Sequence, residues 1–177
     1  MNEIKYIVFD RDGTLIEHIP YLYKPKDVKL LSNVKETIKN LKSKNYKIFL
    51  HTNQSGIARG MFEYSDAIKC NEKLVSLIGV NNLFDDICVA DELNFNFENY
   101  RKPSPKFGLE ILSKYNVDSS KLTYVGDSIC DLNTAKNLNC NFIGLNTGLI
   151  KFEKKIYSNG KFKYPIFDNI SKILKVL

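Results

Sequence analysis

The sequence predicts an α/β fold in which a doubly wound parallel sheet carries helices on both faces. Three observations predict it. Short apolar runs rich in β-branched and aromatic residues, at 4–9, 47–50, 86–90, 121–125 and 141–145, read as buried strands. Between them lie stretches whose apolar residues fall at helical spacing, and strands alternating with helices build a parallel sheet. Finally, polar clusters follow directly on the apolar runs, where open α/β sheets place their ligands.

The first strand, residues 4–9, runs straight into Asp10-Arg11-Asp12-Gly13-Thr14. Residues 16–27 carry Pro20 and Pro25 with no clean period, so a loop or small flap hangs over the strand end. Residues 33–44 form a helix, capped at Ser32 or Asn33, with Val34, Ile38 and Leu41 on its inner face. The strand at 47–50 ends at His51-Thr52-Asn53-Gln54-Ser55-Gly56. Residues 64–78 form a helix burying Ala67, Ile68, Leu74, Leu77 and Ile78, and 86–90 a strand. Residues 91–99 have no period and read as a loop, followed by Arg101-Lys102-Pro103-Ser104-Pro105. A helix then runs to about Tyr115, with Pro105 near its first turn. The strand at 121–125 leads into Gly126-Asp127-Ser128, a helix at 131–138, a strand at 141–145 and a turn at 146–148. In the tail, 164–167 is expected as an edge strand, and Ile170, Ile173, Leu174 and Leu177 line a last helix.

The 177 residues suit one domain, 1–177, with a proper core and no gap longer than a flap. A content of 44% apolar and 26% charged residues is that of a soluble globular protein. No apolar run approaches a membrane span, and the first ten residues lack the pattern of a signal peptide. A cytoplasmic location without a membrane partner is expected. The net charge of +6 favours anionic partners, but the lysines are scattered, which speaks against nucleic acid. Cys70, Cys88, Cys130 and Cys140 form no CxxC pair and are expected as buried small residues.

Four clusters carry the chemistry: Asp10/Asp12, Thr52/Asn53, Arg101/Lys102 and Asp127/Asp131. Alone, Asp10 and Asp12 could begin a solvated loop. Together, four clusters at strand or helix ends converge on one crevice. Carboxylates in that number hold Mg²⁺, while a hydroxyl and a lysine receive a phosphoryl group. One aspartate can attack phosphorus, and another can pass the proton.

Asp10-x-Asp12-Gly13-Thr14, Thr52, Lys102 and Gly126-Asp127 with Asp131 resemble the four motifs of the haloacid dehalogenase superfamily of phosphatases, over residues 4–148. The resemblance implies a Rossmann-like core, with Asp10 as nucleophile and Asp12 as general acid/base. It implies Thr52 as phosphate ligand and Lys102 as the neutralising charge. Mg²⁺ would be held by Asp10, the Asp12 carbonyl and Asp127. For Asp131 three readings stand: support of Lys102, support of the metal's waters, or simply the start of a helix.

More narrowly, Phe9-Asp10-Arg11-Asp12-Gly13-Thr14, residues 52–60 and Arg101-Lys102-Pro103 resemble the D-glycero-D-manno-heptose 1,7-bisphosphate phosphatases. Histidinol-phosphate phosphatases and polynucleotide 3′-phosphatases are neighbours of that group, which has no large cap domain. The likeness implies a small phosphorylated metabolite as partner. It places Asn53, Arg59 and Arg101 at the substrate, with Arg101 on its second phosphate or hydroxyls. Two departures stand out. Residues 91–100 contain neither Cys nor His where many of the group carry a zinc loop, so no zinc is expected, and Phe95, Phe97 and Tyr100 are expected to hold this loop. Ser128 stands where the group often has lysine. His51 reads as a packed or hydrogen-bonded histidine, and Glu17, His18 and Tyr21 in the flap as candidate substrate contacts.

The expected activity is a Mg²⁺-dependent phosphomonoesterase for a small sugar-phosphate-type metabolite, a heptose bisphosphate or another phosphorylated intermediate of surface-polysaccharide synthesis. Rival readings are a nucleotide-sugar phosphoester, histidinol phosphate or a nucleic-acid 3′-phosphate. A phospho-aspartate signalling module is the rival of another class, and Asp12, placed to turn a phosphoenzyme over, argues against it.

Overall fold

The computed structural model describes residues 4–149, 151–152, 157–159 and 162–177. Its sheet has six parallel strands: β1 (Tyr6–Phe9), β2 (Lys47–Asn53), β3 (Asp86–Ala90), β4 (Leu122–Gly126), β5 (Asn141–Leu145) and, after the hairpin below, β8 (Ile166–Phe167). Their order is β3-β2-β1-β4-β5-β8. The chain thus winds outward in one direction from β1 to β3, then resumes on the other side of β1 with β4. The crevice between the carboxyl ends of β1 and β4 is the switch point at which such sheets bind ligands.

Side chains alternate across the pleat, and two cores follow from it. Ile7 and Phe9 of β1 face α1 (Val34–Ser43) and α2 (Tyr64–Ile78), whose Ile38, Leu41, Cys70, Leu74 and Ile78 complete that core. Tyr6 and Val8 face α3 (Lys106–Tyr115) and α4 (Ile129–Leu138), through Phe107, Ile111, Leu132 and Leu138. The flap is packed: Ile16, Leu22 and Val28 are buried, and Glu17 N–H donates to the Lys29 carbonyl. Among the described residues no helix is long and apolar enough to cross a membrane.

The structure corrects several boundaries. β2 continues to Asn53 because β3 pairs with it as far as Asn53–Ala90, so His51 and Thr52 lie inside the sheet. α4 starts two residues earlier than expected, since Ser128 and Asp131 form a capping box. Asn33 is the N-cap of α1 but makes no side-chain capping bond. In α2, Ile68 and Leu77 are half-buried, while Cys70 and Asn71 take the inner positions. Cys130 is exposed on the outer side of α4, unlike Cys70, Cys88 and Cys140. Tyr164 ends a separate antiparallel hairpin of β6 (Tyr157–Asn159) and β7 (Phe162–Tyr164), leaving only Ile166–Phe167 as the edge strand. The last helix is a 3-10 turn at Ile170–Lys175, in which the three-residue spacing of Ile170 and Ile173 buries both; Leu174 and Leu177 are only half-buried.

Candidate active site

β1 and β4 each deliver an aspartate to the switch point. Asp10 follows Phe9 and donates its N–H to the Val125 carbonyl at 2.9 Å; Asp127 follows Gly126. Both are buried. Lys102 arrives from the turn before α3, and its Nζ donates to Asp10 Oδ1 and Asp131 Oδ1, each at 2.6 Å. Asp131 lies in the first turn of α4, where its Oδ2 accepts from Ser128 Oγ at 2.6 Å. It therefore supports the Lys102 ammonium while opening its helix. Two glycines make room for Asp127. A Cβ on Gly13, which has φ +83°, would lie 2.4 Å from Asp127 Oδ2, and one on Gly148 would lie 1.6 Å from it.

Carboxylate oxygens of Asp10, Asp127 and Asp131 lie within 4.8 Å of one another. Burial raises the Asp10 carboxyl well above its usual range, although Lys102 opposes the shift and the other aspartates add to it. Burial, then Asp131, pushes Asp127 up to about 6. Burial works against the Lys102 ammonium, but Asp10 and Asp131 outweigh it and hold its pKa above the usual lysine range. Three carboxylates against one ammonium, all out of water, leave an excess of negative charge. A divalent cation would neutralise it, and the all-oxygen donor set suits Mg²⁺. Asp131 has both oxygens engaged, so Asp10 and Asp127 are the carboxylates with capacity to hold such an ion.

The Asp12 carboxylate stands outside this cluster. Arg11 Nε approaches its Oδ2 at 3.0 Å and Nη2 its Oδ1 at 3.3 Å. Gln54 Nε2 donates to Oδ2 at 3.0 Å, and the Thr52 hydroxyl points at the same oxygen at 3.4 Å. Arg11 is fully buried, and its Nη1 donates to Asn71 Oδ1 on α2 at 3.0 Å. Sequence reasoning passed over Arg11, Gln54 and Asn71. Arg11 and Gln54 lie within the matched motifs without an assigned role, and a further signal was a polar Asn71 on the apolar stripe of Ala67, Leu74 and Ile78.

Other expected site residues have definite positions. Asn53 grips the Lys102 backbone, donating to its carbonyl at 3.2 Å and accepting from its N–H at 2.9 Å. Arg101 donates to the Glu92 carbonyl at 3.1 Å. Arg59 is exposed, with no ion pair or side-chain hydrogen bond among the described residues. His51 is buried between the Tyr100 carbonyl (2.8 Å) and the Tyr124 hydroxyl (3.2 Å), and burial lowers its pKa to about 3. His18 and Tyr21 line a cleft of about 360 Å³ with Asp12, Asn53 and Gln54; Glu17 does not. A larger cavity of about 500 Å³ opens at the opposite edge of the sheet, by Lys5, Thr123 and Asn141, away from every one of these carboxylates. Size is therefore not the guide here; the convergent charges are.

The 91–100 loop is held mainly by polar groups rather than by its aromatics. Asn96 Oδ1 accepts from the N–H groups of Glu98 and Asn99, and Glu92 Oε1 from that of Tyr100, each at 2.8 Å. Phe95 and Phe97 stack only on each other, edge to face, and are exposed. Tyr100 alone fulfils the aromatic expectation: its hydroxyl donates to Glu110 Oε1 at 2.8 Å and Lys106 Nζ lies 4.2 Å from the centre of its ring.

A family model described as haloacid dehalogenase-like hydrolase matches residues 21–145. Among curated proteins, a D-glycero-alpha-D-manno-heptose-1,7-bisphosphate 7-phosphatase from Campylobacter jejuni is 29% identical over 96% of this chain and 94% of its own length. A D-glycero-beta-D-manno-heptose-1,7-bisphosphate 7-phosphatase from Pasteurella multocida is 32% identical, covering 89% of this chain and 87% of that protein. Among solved structures, the D,D-heptose 1,7-bisphosphate phosphatase from B. bronchiseptica, complexed with magnesium and phosphate, shares the fold. It has a TM-score of 0.85 at 24% identity, covering 98% of this chain and 99% of that one.

Proposed function

Since the chain belongs to the haloacid dehalogenase-like hydrolase family and is a phosphoric monoester hydrolase, we propose that it works through an aspartyl-phosphate, with Mg²⁺, on a phosphorylated sugar, a heptose 1,7-bisphosphate in the first instance. The observation that carries this reading is the Lys102 ammonium clamped between Asp10 and Asp131, with Asp127 beside them at the switch point.

In the first step an Asp10 oxygen attacks phosphorus, the ester P–O bond breaks, and Asp12 gives its proton to the departing oxygen. In the second, water attacks the aspartyl-phosphate, its proton passes to Asp12, and phosphate leaves with Asp10 regenerated. Lys102 keeps positive charge against the nucleophile throughout, and Asn53 fixes the backbone that presents it. Mg²⁺, when bound, would be held by Asp10, Asp127 and the Asp12 carbonyl and would supply Lewis-acid stabilisation of the phosphoryl oxygens. Thr52 serves as phosphate ligand. The exposed Arg59 and loop-anchored Arg101 serve the remainder of the substrate, and His18 and Tyr21 border the cleft beside Asp12. The heptose assignment is supported by the relatives' activities, and the absence of zinc by a 91–100 loop without thiol or imidazole.

The test is phosphate release with Mg²⁺ across sugar mono- and bisphosphates, histidinol phosphate, nucleotide-sugar phosphoesters and 3′-phosphorylated oligonucleotides. A heptose 1,7-bisphosphate is expected to be preferred, with metal analysis finding no stoichiometric zinc. Asp10→Asn is expected to abolish turnover with an unchanged circular-dichroism spectrum. Full activity in that variant would remove Asp10 as nucleophile.

A further inference from the structure

Arg11 has zero exposed surface, a rare state for an arginine, and its donors are distributed with purpose. Nε and Nη2 form a fork on the two oxygens of Asp12, and Nη1 reaches across to Asn71 Oδ1 on α2. A planar fork fixes the orientation of the carboxylate it grips, which a lysine at the same place would not do. Asn71 sits between apolar neighbours on the inner face of α2, where the helix would ordinarily place a hydrocarbon side chain. Its carbonyl oxygen spends that position on Arg11. The clamp is thus anchored in the core.

The consequence concerns which way Asp12 faces. Asp10 and Asp12 are two residues apart at the end of β1, beside Asp127 and Asp131, and an unrestrained fourth carboxylate would be drawn to any cation the cluster holds. Instead, the oxygens of Asp12 are turned to Arg11, Gln54 and Thr52, and the side chain borders the cleft formed by residues 18–22 and 53–56. We infer that Arg11, anchored by Asn71, is a positioning residue that keeps Asp12 out of the carboxylate cluster and aims it at the oxygen that leaves phosphorus. This rests on the acid/base role proposed for Asp12. In balanced form, the ester P–O bond breaks as the Asp10–phosphorus bond forms, and the Asp12 proton ends on the leaving oxygen. An ester whose leaving oxygen needs no proton is then indifferent to where Asp12 points.

That difference supplies the test. kcat/KM, which covers steps up to the first irreversible one, is measured for two esters. One is the alkyl phosphate that the wild-type enzyme turns over fastest in the substrate panel; the other is p-nitrophenyl phosphate. Arg11→Lys keeps a buried cation but loses the fork. It is expected to lose roughly tenfold or more on the alkyl ester and to stay within about twofold on p-nitrophenyl phosphate. Asn71→Ser, which leaves the fork and removes its anchor, should shift in the same direction by a smaller factor, and it carries the test should Arg11→Lys not fold. Equal losses on both esters, or no loss on either, would overturn the inference. Asp12→Asn separates this from the reading beneath it. If Asp12→Asn discriminates between the esters and the Arg11 and Asn71 variants do not, only the positioning role fails. If Asp12→Asn itself treats both esters alike, the acid/base assignment fails and the inference with it.

Discussion

His51 shows how a single residue acquires a role from its surroundings. The Tyr100 carbonyl can only accept, so His51 Nε2 carries the hydrogen and Nδ1 accepts from the Tyr124 hydroxyl. The ring is held neutral, with a pKa lowered to about 3 from 6.5. In the unfolded chain the same ring takes up a proton below about 6.5, so stability falls with pH by up to about 1.4 kcal/mol per unit. Asp10 and Asp127, raised by burial, act in the opposite sense, because the native state binds their protons first. Comparison with His51→Gln cancels the carboxylates. The stability gap between wild type and variant, from urea unfolding, is expected to narrow by about 1–2 kcal/mol between pH 7 and pH 5. A constant gap would contradict a neutral buried ring. This scale also marks what could be read in advance. Asp10, Lys102 and Asp127 were legible because four polar clusters follow strand or helix ends in one chain, although any one of them alone could be a cap or a solvated loop. Arg11, Gln54 and Asn71 were not, because what gives them meaning is the Arg11–Asn71 and Gln54–Asp12 contacts, between residues far apart in the chain.

At the scale of elements, chain punctuation was legible where a local interaction sets it and obscure where a neighbour does. The helix at 64–78 was placed at its observed bounds, and its Glu63–Asp66 capping box is local. The start of α4 is legible in principle, since Ser128 and Asp131 stand at the capping-box interval; with Asp131 taken as the first helical residue, the helix is expected two positions late. The length of β2 was not legible, because pairing with β3 extends it past the apolar run into His51, Thr52 and Asn53. The turn after β5 carries a sharper consequence. Gly148 leaves open the space that Asp127 occupies, and a methyl group there would lie 1.6 Å from Asp127 Oδ2 and 2.6 Å from its Cγ, so the carboxylate must move. Gly148→Ala is expected to displace Asp127 while sparing β1 and Lys102. Its Mg²⁺ requirement in a phosphate-release titration should rise by about tenfold or more, the usual scale for disturbing a metal-ligating shell. An unchanged Mg²⁺ midpoint would mean that Asp127 does not serve the metal.

For the whole molecule, alternation of strands and helices gives the α/β class, and five or six short strands in 177 residues suit an open doubly wound sheet rather than an eight-stranded barrel. Strand order was beyond the sequence, since hydrophobic period says which face is buried and not which strand is adjacent. Yet order is what makes the site: β4 beside β1 brings Asp127 to Asp10 across the whole intervening chain. A site assembled by the topology, with excess negative charge, couples metal binding to folding. The unfolded chain cannot gather Asp10 and Asp127, so the proposed Mg²⁺ would bind the native state alone. At a hundred times its Kd, the ion is expected to add about 2.7 kcal/mol of stability. For a domain of this size that is a rise in Tm of about 5–10 °C. Protons compete for the same oxygens. With Asp127 pushed up to about 6 and Asp10 also raised, the shift should be largest at the alkaline end and shrink as pH falls through about 6, because the carboxylates must lose their protons before they can hold a cation. Asp127→Asn should abolish the shift at every pH. Differential scanning fluorimetry with and without Mg²⁺ from pH 5 to 8 decides the matter: a rise in Tm that survives Asp127→Asn, or that does not weaken below pH 6, would place the cation somewhere other than this carboxylate cluster.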